Sequence, residues 1–572
     1  MSTPNPQSEL PRFDLAFTMA GAISAGAYTA GVFDFLIEAL DAWTDARGQG
    51  DPLAPQHDVQ IRAVTGASAG AIVGAILGAC LGHQFKPRRL GDSGDGSDNP
   101  LFDAWVNRVH AHGLLQTRDL ADGQPVRSLL DSTSLLEVAQ RAIDSGQGRP
   151  ARARSYLANP LRFVFTLTNL RGVPYPWRMA GSNYTQTMVR HADQIRFCLG
   201  GTGGVTVPVP RGGGYALNYP AGWSTGHWAR FAQSALASGA YPLGLAPREL
   251  ERDASDYDCL PVAVPGGPGQ SDRVCDLRPD SAGLCRPGSN SYNFVSVDGG
   301  TTNNEPVALA RLELADGDVL ARHETAGVRV HEAVVMVDPF VGPQEPGPAS
   351  LQGTSLISNA LSTFAALKDQ SRFCPEDIVR ADDSGDYGSF LIAPVRQDHL
   401  SKDTATSLAS GALGGFSGFL DRSFREHDFQ LGRRNAQMFL MTALTLPENN
   451  PLFARWTDEQ RKRLGRSVTR ADGSTAIELP IIPLMPSLHS INNAAAIEPQ
   501  PEWPLNRFDP ASLDGPIRSR LDGVVKSSLA ASELNWFVRL GARLGWFFAR
   551  GRVSAAAVRT MRRLLTGHGL LS

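Results

Sequence analysis

The sequence has no excess of charge of either sign. Its 54 lysine and arginine residues are balanced by 57 aspartate and glutamate residues, which gives a formal net charge of −3. Proteins that neutralise nucleic-acid phosphates usually carry a basic surface, so no nucleic-acid partner is expected. Charged residues make up 19% of the chain and hydrophobic residues 42%, which excludes an intrinsically disordered protein.

Cysteine is scarce, with six residues in a chain of 572. There is no C-x-x-C pair and no Cys/His spacing typical of zinc, so the sequence predicts neither a disulfide scaffold nor a zinc site. Cys259, Cys275 and Cys285 cluster and would be able to pair in an exported protein, but we expect free thiols in a reducing compartment. The first residues lack a basic segment followed by an apolar one, so we expect no signal peptide and a cytoplasmic protein.

Long apolar runs are also few. Residues 15–33 and 63–82 carry no charge and are long enough to cross a bilayer. The second run is interrupted by glycine at every fourth residue, at Gly66, Gly70, Gly74, Gly78 and Gly82. Both runs break into strand, turn and helix, so they predict core elements of a soluble domain and no transmembrane helix.

The pattern of apolar segments predicts an α/β fold with a mostly parallel sheet. Short β-rich segments alternate with stretches of helical spacing. The predicted strands are residues 13–19, 59–65, 162–168, 293–297 and 332–337. We predict a catalytic domain over 1–445 and a largely helical extension over 446–572. Gly- and Pro-rich stretches predict loop insertions in that domain at 200–214, 250–290 and 341–353.

A candidate nucleophile lies in the segment Gly66-Ala67-Ser68-Ala69-Gly70, which follows a predicted strand and begins a predicted helix. This G-x-S-x-G pattern is typical of a nucleophile elbow, in which the serine occupies a strained turn between strand and helix. A second match places Ser224 after Pro220, and proline disfavours an interior strand. The context therefore favours Ser68, and Ser224 is predicted to precede a helix.

Two further segments supply groups that a nucleophilic serine needs. Small residues at Gly21, Ala22 and Ile23 follow the first predicted strand, where backbone N–H groups can face a neighbouring oxyanion. Much later, Asp298-Gly299-Gly300 follows another predicted strand, so its carboxylate can approach a serine and accept its proton.

Together these motifs resemble the patatin-like phospholipase family in their chain order. The segment 235–242 also resembles a family motif between the serine and the aspartate, and the resemblance covers about residues 11–340. It implies a three-layer α/β fold in which Ser68 is the nucleophile and Asp298 its base, with Gly21, Ala22 and Ile23 at the oxyanion positions. Gly66, Gly70, Gly299 and Gly300 support the two motifs, and no metal or organic cofactor is implied.

The oxyanion segment departs from the family pattern of three glycines, any residue, arginine and glycine. This chain has Gly21, Ala22, Ile23, Ser24, Ala25 and Gly26. Donors at Ala22 and Ile23 are expected to survive only if φ stays negative there.

A histidine completing a triad is the alternative to a dyad. Six histidines follow Asp298, namely His323, His331, His399, His427, His489 and His568. None lies in a recognisable catalytic loop, and His427, flanked by Arg425, Glu426 and Asp428, is predicted to lie on a charged helix surface.

The end of the chain is basic and aromatic. Residues 533–572 contain seven arginines and one acidic residue, interleaved with Trp and Phe. Such a helix can lie in a membrane interface or pack its aromatic residues on the catalytic domain, and both alternatives stay open.

The resemblance implies a serine acyl hydrolase that acts on phospholipids or other acyl lipids. The alternatives are an acyltransferase of the same chemistry and a lipid- or membrane-binding scaffold whose altered oxyanion loop no longer supports catalysis.

Overall fold

The computed structural model describes most of the chain. The described residues are 10–121, 124–181, 184–201, 213–264, 273–280, 284–285, 289–315, 328–341, 355–370, 387–396, 404–469, 473–488, 496–532 and 535–572. Most of the predicted insertions at 200–214 and 341–353 therefore lies outside the described residues. The described part of the insertion 250–290 is not only loop, because it contains strands.

A nine-stranded sheet forms the centre of the protein. Its strands are β1 (Arg12–Met19), β2 (Asp58–Gly66), β3 (Leu157–Arg178), β4 (Thr185–Leu199), β5 (Tyr215–Leu217), β6 (Arg248–Asp253), β9 (Ser291–Val297), β10 (Glu332–Val337) and β11 (Ser389–Ile392). The main path runs in the order β11-β10-β1-β2-β3-β4-β5, and β9 pairs with both β3 and β6. Strands β11, β10, β1, β2 and β3 are mutually parallel, whereas β4 is antiparallel to β3.

Two smaller sheets lie outside the central one. A hairpin joins β7 (Leu260–Val264) and β8 (Arg273–Leu277). A three-stranded antiparallel sheet contains β12 (Thr445–Pro447), β13 (Arg466–Thr469) and β14 (Thr475–Pro480).

Helices cover both faces of the central sheet, which makes three layers. The longer helices are α1 (Gly26–Gly48), α2 (Ala69–Cys80), α3 (Thr133–Asp144), α4 (Trp228–Ser238), α5 (Val307–Leu314), α6 (Leu356–Gln370), α7 (Arg422–Thr442), α8 (Asp458–Leu464), α9 (Asp514–Ala531) and α10 (Trp536–Gly567). One-turn helices lie at Pro100–Phe102, Ala111–Leu114 and Ala412–Gly415, and a π-helix at Asp103–Arg108.

The layer arrangement explains the uncharged segments of the sequence. Helix α5 packs against Ala16, Ala63 and Val334 on one face of the sheet. Helices α2 and α4 contact the opposite face, so the central strands are buried on both sides, as parallel strands usually are. The predicted α/β class with a mostly parallel sheet and a helical C-terminal region is confirmed.

One helix in the described part of the chain, Ile23–Gly48, is long and apolar enough to cross a membrane by length and composition. Of its most apolar window, 89% is buried inside the protein. A core helix passes the same test, so this segment is weak grounds for a membrane span.

The prediction that His427 lies on a charged helix surface is wrong. Helix α7 packs along α1, and Arg425, His427 and Asp428 are all buried. Their polar groups find hydrogen-bond partners inside the protein, since Asp428 accepts from His427 Nδ1 at 2.7 Å and Arg425 donates to the carbonyl of Val106. Polar residues can be buried when each finds a partner, and no sequence periodicity reveals such partners.

The apolar core continues past residue 445. Leu446, Phe453, Trp456 and Ile481 belong to the same cluster of buried side chains as β1 and α1. Cys80, Cys198, Cys275 and Cys285 carry free thiols, and Cys374 lies outside the described residues.

His57 connects this C-terminal part to the segment before β2. Its Nε2 lies 2.8 Å from the carbonyl oxygen of Ile481, and its Nδ1 accepts from the indole of Trp456 at 3.0 Å. Both contacts suit a neutral imidazole, and burial lowers the pKa of His57 to about 4.

This depressed pKa predicts a loss of stability in acid. In the unfolded chain the histidine takes up a proton near pH 6.5, so the unfolded state binds more protons between pH 6.5 and about 4. The contribution of His57 is complete above pH 6.5 and falls with pH, by at most about 3 kcal/mol. Thermal unfolding of wild type and His57→Gln from pH 7 to 4.5 should show a flatter pH dependence in the variant. Parallel curves would contradict the account.

Candidate active site

Ser68 occupies a sharp turn between β2 and α2. Its φ of +51° and ψ of −120° lie in a region that residues with a side chain rarely adopt. Gly66 ends β2, and Gly70 lies against β1, where a Cβ atom would be 2.4 Å from the carbonyl oxygen of Met19. The turn therefore requires a glycine at 70, and helix α2 begins directly after Ser68.

Ser68 and Asp298 are brought together from positions 230 residues apart. The Oγ atom of Ser68 donates a hydrogen bond to Oδ2 of Asp298 at 2.7 Å. The other carboxylate oxygen, Oδ1, accepts from the N–H of Gly300 at 2.7 Å. Both side chains are buried, with 7% and 5% of their surface exposed. The carboxylate is held in one orientation by the short turn Gly299–Thr301 that follows it.

The backbone around the pair is fixed by neighbouring strands and helices. Ser238, at the end of α4, accepts the N–H of Ser68 on its Oγ at 2.8 Å. The N–H of Asp298 donates to the carbonyl of Ala240 at 2.9 Å, and Thr168 of β3 donates to the carbonyl of Asp298 at 2.8 Å. The segment 235–242 therefore contacts both members of the pair.

The segment Gly21 to Ile23, which the sequence predicts to face an oxyanion, lies beside Ser68, but one of its three N–H groups already has a partner. The N–H of Gly21 donates to the carbonyl of Asn304 at 3.2 Å, so it is already engaged. Within the described part of the chain, no acceptor lies within hydrogen-bonding distance of the N–H groups of Ala22 and Ile23. The φ of Ala22 is −144°, as the sequence required, but that of Ile23 is +51°. The condition of negative φ is therefore not met at Ile23.

A β-branched residue at positive φ is strained, and surrounding contacts must hold it. Those contacts come from residues 409–420, far along the chain. Ser24 Oγ donates to the carbonyl of Gly415 and accepts the N–H of Gly418 at 3.1 Å. The segment is itself anchored, because Asp428 accepts the N–H groups of Ala409 and Ser410. Ser24 thus connects the oxyanion segment to residues 409–420, a contact that no local sequence pattern predicts.

Two cavities meet at Ser68. One is a narrow channel of about 60 Å³ whose lining is almost entirely apolar, including Ile72, Trp105, Leu130 and Phe416. The other is a more open and polar cavity of about 280 Å³. Residues shared by both are Ile23, Ser68 and Tyr241. The polar cavity is lined by Gly21, Ala22, Ile23, Ser68, Tyr241, Asp298, Asn304, Asp338, Phe340, Asp369, Gly411, Gly414 and Gly415.

Several of these lining residues were not singled out by the sequence. Asn304 presses on the oxyanion segment, since a Cβ atom on Gly21 would lie 2.4 Å from its Oδ1 and 3.0 Å from Cβ of Ser68. Asp338 follows β10 at the same edge of the sheet and accepts the N–H of Phe340 at 2.8 Å. The position of Asp338 at a strand end was an available signal, whereas no local pattern marked Gly411, Gly414 or Gly415.

The competing candidates lie elsewhere. Ser224 is exposed on the turn before α4 and lines neither cavity. Of the six later histidines, His323, His399 and His489 lie outside the described residues. His331 precedes β10, His427 pairs with Asp428, and His568 contacts the carbonyl of Leu408. In the described ranges, no group of three or more His, Cys, Asp or Glu residues is placed to hold a metal ion.

Two comparisons with known proteins bear on this site. The sequence pattern of the family described as "Patatin-like phospholipase" matches residues 17–311. A relative from Sinorhizobium fredii (strain NBRC 101917 / NGR234), named "Uncharacterized protein y4iI", is 35% identical over 95% of this chain and 80% of its own length. Ser68, Asp298 and the oxyanion segment lie within the matched range, whereas the supporting segment 409–420 lies beyond it.

The contact at Ser24 makes a prediction about the reactivity of Ser68. Ser24→Ala removes two hydrogen bonds that hold the oxyanion segment, so donors aimed at a developing negative oxygen should be displaced. We expect a fluorophosphonate probe to label Ser68 about tenfold more slowly, measured by gel fluorescence over time.

Ser423→Ala is the matched control, because that hydroxyl bonds Asp421 at the start of α7 and does not touch the oxyanion segment. Equal labelling rates in the two variants would show that Ser24 does not position the loop.

Proposed function

Because the chain belongs to the patatin-like phospholipase family, we propose that it is a serine acyl hydrolase that cleaves carboxylic esters of phospholipids or other acyl lipids. The observation that carries the proposal is the hydrogen bond from Ser68 to Asp298 at the junction of an apolar channel and a polar cavity. The hydrogen bond supplies a nucleophile with its proton acceptor. The junction of the two cavities suits a substrate with an apolar and a polar part.

In the proposed mechanism Ser68 attacks the ester carbonyl while its proton passes to Asp298. The tetrahedral oxyanion is stabilised by the N–H groups of Ala22 and Ile23, and its collapse transfers the proton to the leaving alcohol. Water then attacks the acyl-enzyme with Asp298 again as base. A carboxylate is a weak base at neutral pH, so oxyanion stabilisation must contribute heavily. One such donor is worth about 2.7–4 kcal/mol in a known hydrolase.

The two cavities support an assignment of the substrate's parts. The apolar channel suits the acyl chain, because burying it against Ile72, Leu130 and Phe416 removes apolar surface from water. The polar cavity suits the alcohol part of the ester and the water that enters after it leaves. No metal or organic cofactor takes part in this mechanism.

Two alternatives have specific support. An alcohol could enter the polar cavity in place of water, which would make the protein an acyltransferase. The strained Ile23 and the missing glycines favour a lipid-binding scaffold without turnover. Release of free fatty acid supports the hydrolase, and transfer of the acyl group to an added alcohol supports the acyltransferase. The absence of both products supports the scaffold.

We also propose a peripheral membrane contact through residues 533–572 of a cytoplasmic protein. Helix α10 exposes apolar side chains along its first half, including Phe537 at 66% and Phe548 at 75%. Arginines interleave with them, and anionic lipids attract such segments. The C-terminal end packs beside the active site, since Leu565 belongs to the same buried cluster as Ala412 and Phe419.

The first functional prediction concerns the dyad. Ser68→Ala removes the nucleophile, and Asp298→Asn keeps the shape of the carboxylate but removes the proton acceptor. We expect hydrolysis of a short soluble ester to fall by about 10²–10⁴-fold in Asp298→Asn and further in Ser68→Ala. Ser224→Ala should retain wild-type activity. Activity that survives in Ser68→Ala, or a histidine variant that is equally inactive, would overturn the dyad.

The second prediction concerns α10. Leu565 and Leu570 are buried, so deleting the whole helix would disrupt the core, and surface substitutions are the sharper test. Phe537→Ser/Phe548→Ser should slow hydrolysis of lipid in anionic vesicles by about tenfold while leaving a soluble ester unaffected. Leu505→Ser, another exposed apolar residue, is the control. Equal loss on both substrates would instead indicate a packing role.

A further inference from the structure

Strands β3 and β4 continue beyond the central sheet as a two-stranded ribbon, which we define by the described residues 170–181 and 184–192. Val173 to Arg178 pair with Thr185 to Arg190 in antiparallel register. The base of the ribbon is buried, but its outer part exposes large apolar side chains. These are Trp177 at 55%, Met179 at 56%, Tyr184 at 88%, Met188 at 51% and Val189 at 48%.

The register places several of these side chains on one face. Tyr175 is directly opposite Met188, and opposed residues of an antiparallel pair project to the same side. Trp177 follows Tyr175 by two residues and therefore shares that face. Tyr175 is buried against the base, so the apolar face runs outward from the body of the protein to Trp177.

The ribbon begins at the edge of the sheet where the proposed active site lies. β2 and β3 are parallel, with Gly66 opposite Phe165, so β3 passes the end of β2 just where Ser68 follows it. Thr168 of β3 donates to the backbone of Asp298, and the ribbon begins two residues later. The ribbon therefore extends from the same edge of the sheet at which the proposed active site lies.

The charge of the ribbon has one sign. Residues 170–192 include Arg171, Arg178, Arg190 and His191 and contain no aspartate or glutamate. In the described part of the chain, Arg171 donates to the carbonyls of Leu284 and Asn293, and Arg190 to that of Ala192. The partners of both guanidinium groups are neutral carbonyl oxygens, and among the described residues neither group forms a salt bridge with a carboxylate.

We propose that this ribbon is a docking element for an anionic lipid surface. The inference rests on the proposed function, because it concerns how a lipid substrate reaches Ser68. Tryptophan and tyrosine favour the interface between headgroups and acyl chains, and arginines favour lipid phosphates. A second copy of the chain fits less well, because two ribbons without acidic residues repel each other. The ribbon places Ser68 near the bilayer from a different part of the fold than α10.

The test measures vesicle binding by the full chain carrying Ser68→Ala, so that lipid is not consumed. Vesicles of phosphatidylcholine, with and without about one quarter phosphatidylglycerol, are separated from free protein by flotation. Trp177→Ala/Met188→Ala should lower the partition coefficient about tenfold, because both side chains lose contact with the interface. Gln186→Glu/Thr187→Glu places two negative charges at exposed polar positions of the ribbon. Because anionic lipid repels these charges, binding to the anionic vesicles should fall about tenfold.

Leu90→Ala is the matched control, since Leu90 is 40% exposed and lies outside the ribbon. Binding by either ribbon variant equal to that of the control, with unchanged thermal unfolding, would overturn the inference. The inference would also be overturned if light scattering showed a dimer for the wild-type protein and a monomer for the Trp177→Ala/Met188→Ala variant. A second copy of the chain would then cover the apolar face of the ribbon. Turnover is not measured, so failure of the proposed hydrolase activity is a separate result.

Discussion

The hydrogen bond between Ser68 and Asp298 depends on two chain segments ending at one edge of the sheet. β2 delivers the serine into a strained turn, and β9 delivers the aspartate. β3 pairs with both strands and so sets their spacing. Glycine at 70 allows α2 to begin against β1, which fixes the direction of the serine. A shift in any of these pairings would separate the proposed nucleophile from its proposed base.

The same junction divides the space around the serine. Ile23, Ser68 and Tyr241 are shared by an apolar channel and a polar cavity, so a bound ester would have its apolar and polar parts on opposite sides of the nucleophile. Ile23 stands where the family has glycine, at a positive φ that costs of order 1–3 kcal/mol. Ser24, Gly415 and Gly418 supply contacts that hold this strain in place. The altered oxyanion segment is therefore held by contacts from outside the range that matches the family.

Local patterns in the sequence predicted the strands, turns and helices whose formation depends on residues close together in the chain. The strand, turn and helix around Ser68 follow from an apolar run, a glycine-rich bend and small helical residues, and the parallel sheet follows from alternating elements. Contacts between distant segments were not predictable from local patterns, and the approach of Asp298 to Ser68 was expected from the family resemblance. The buried partners of Arg425, His427 and Asp428 turned a charged stretch into a core helix, which the flanking charges had argued against. Strand β3 was predicted only over residues 162–168, and the ribbon that continues it was not predicted. The exposure of Trp177 depends on which distant segments pack against the ribbon, and no local pattern shows this.

The central claim, that Ser68 forms a covalent acyl intermediate, is tested most directly by mass spectrometry of the quenched protein. The protein is incubated with an activated fatty-acyl ester, quenched in acid and digested. The account predicts one acyl group on the peptide containing Ser68, which disappears in Ser68→Ala and accumulates when deacylation is slower than acylation. An intact, folded protein with no acyl adduct, or an adduct that persists on another residue in Ser68→Ala, would contradict it.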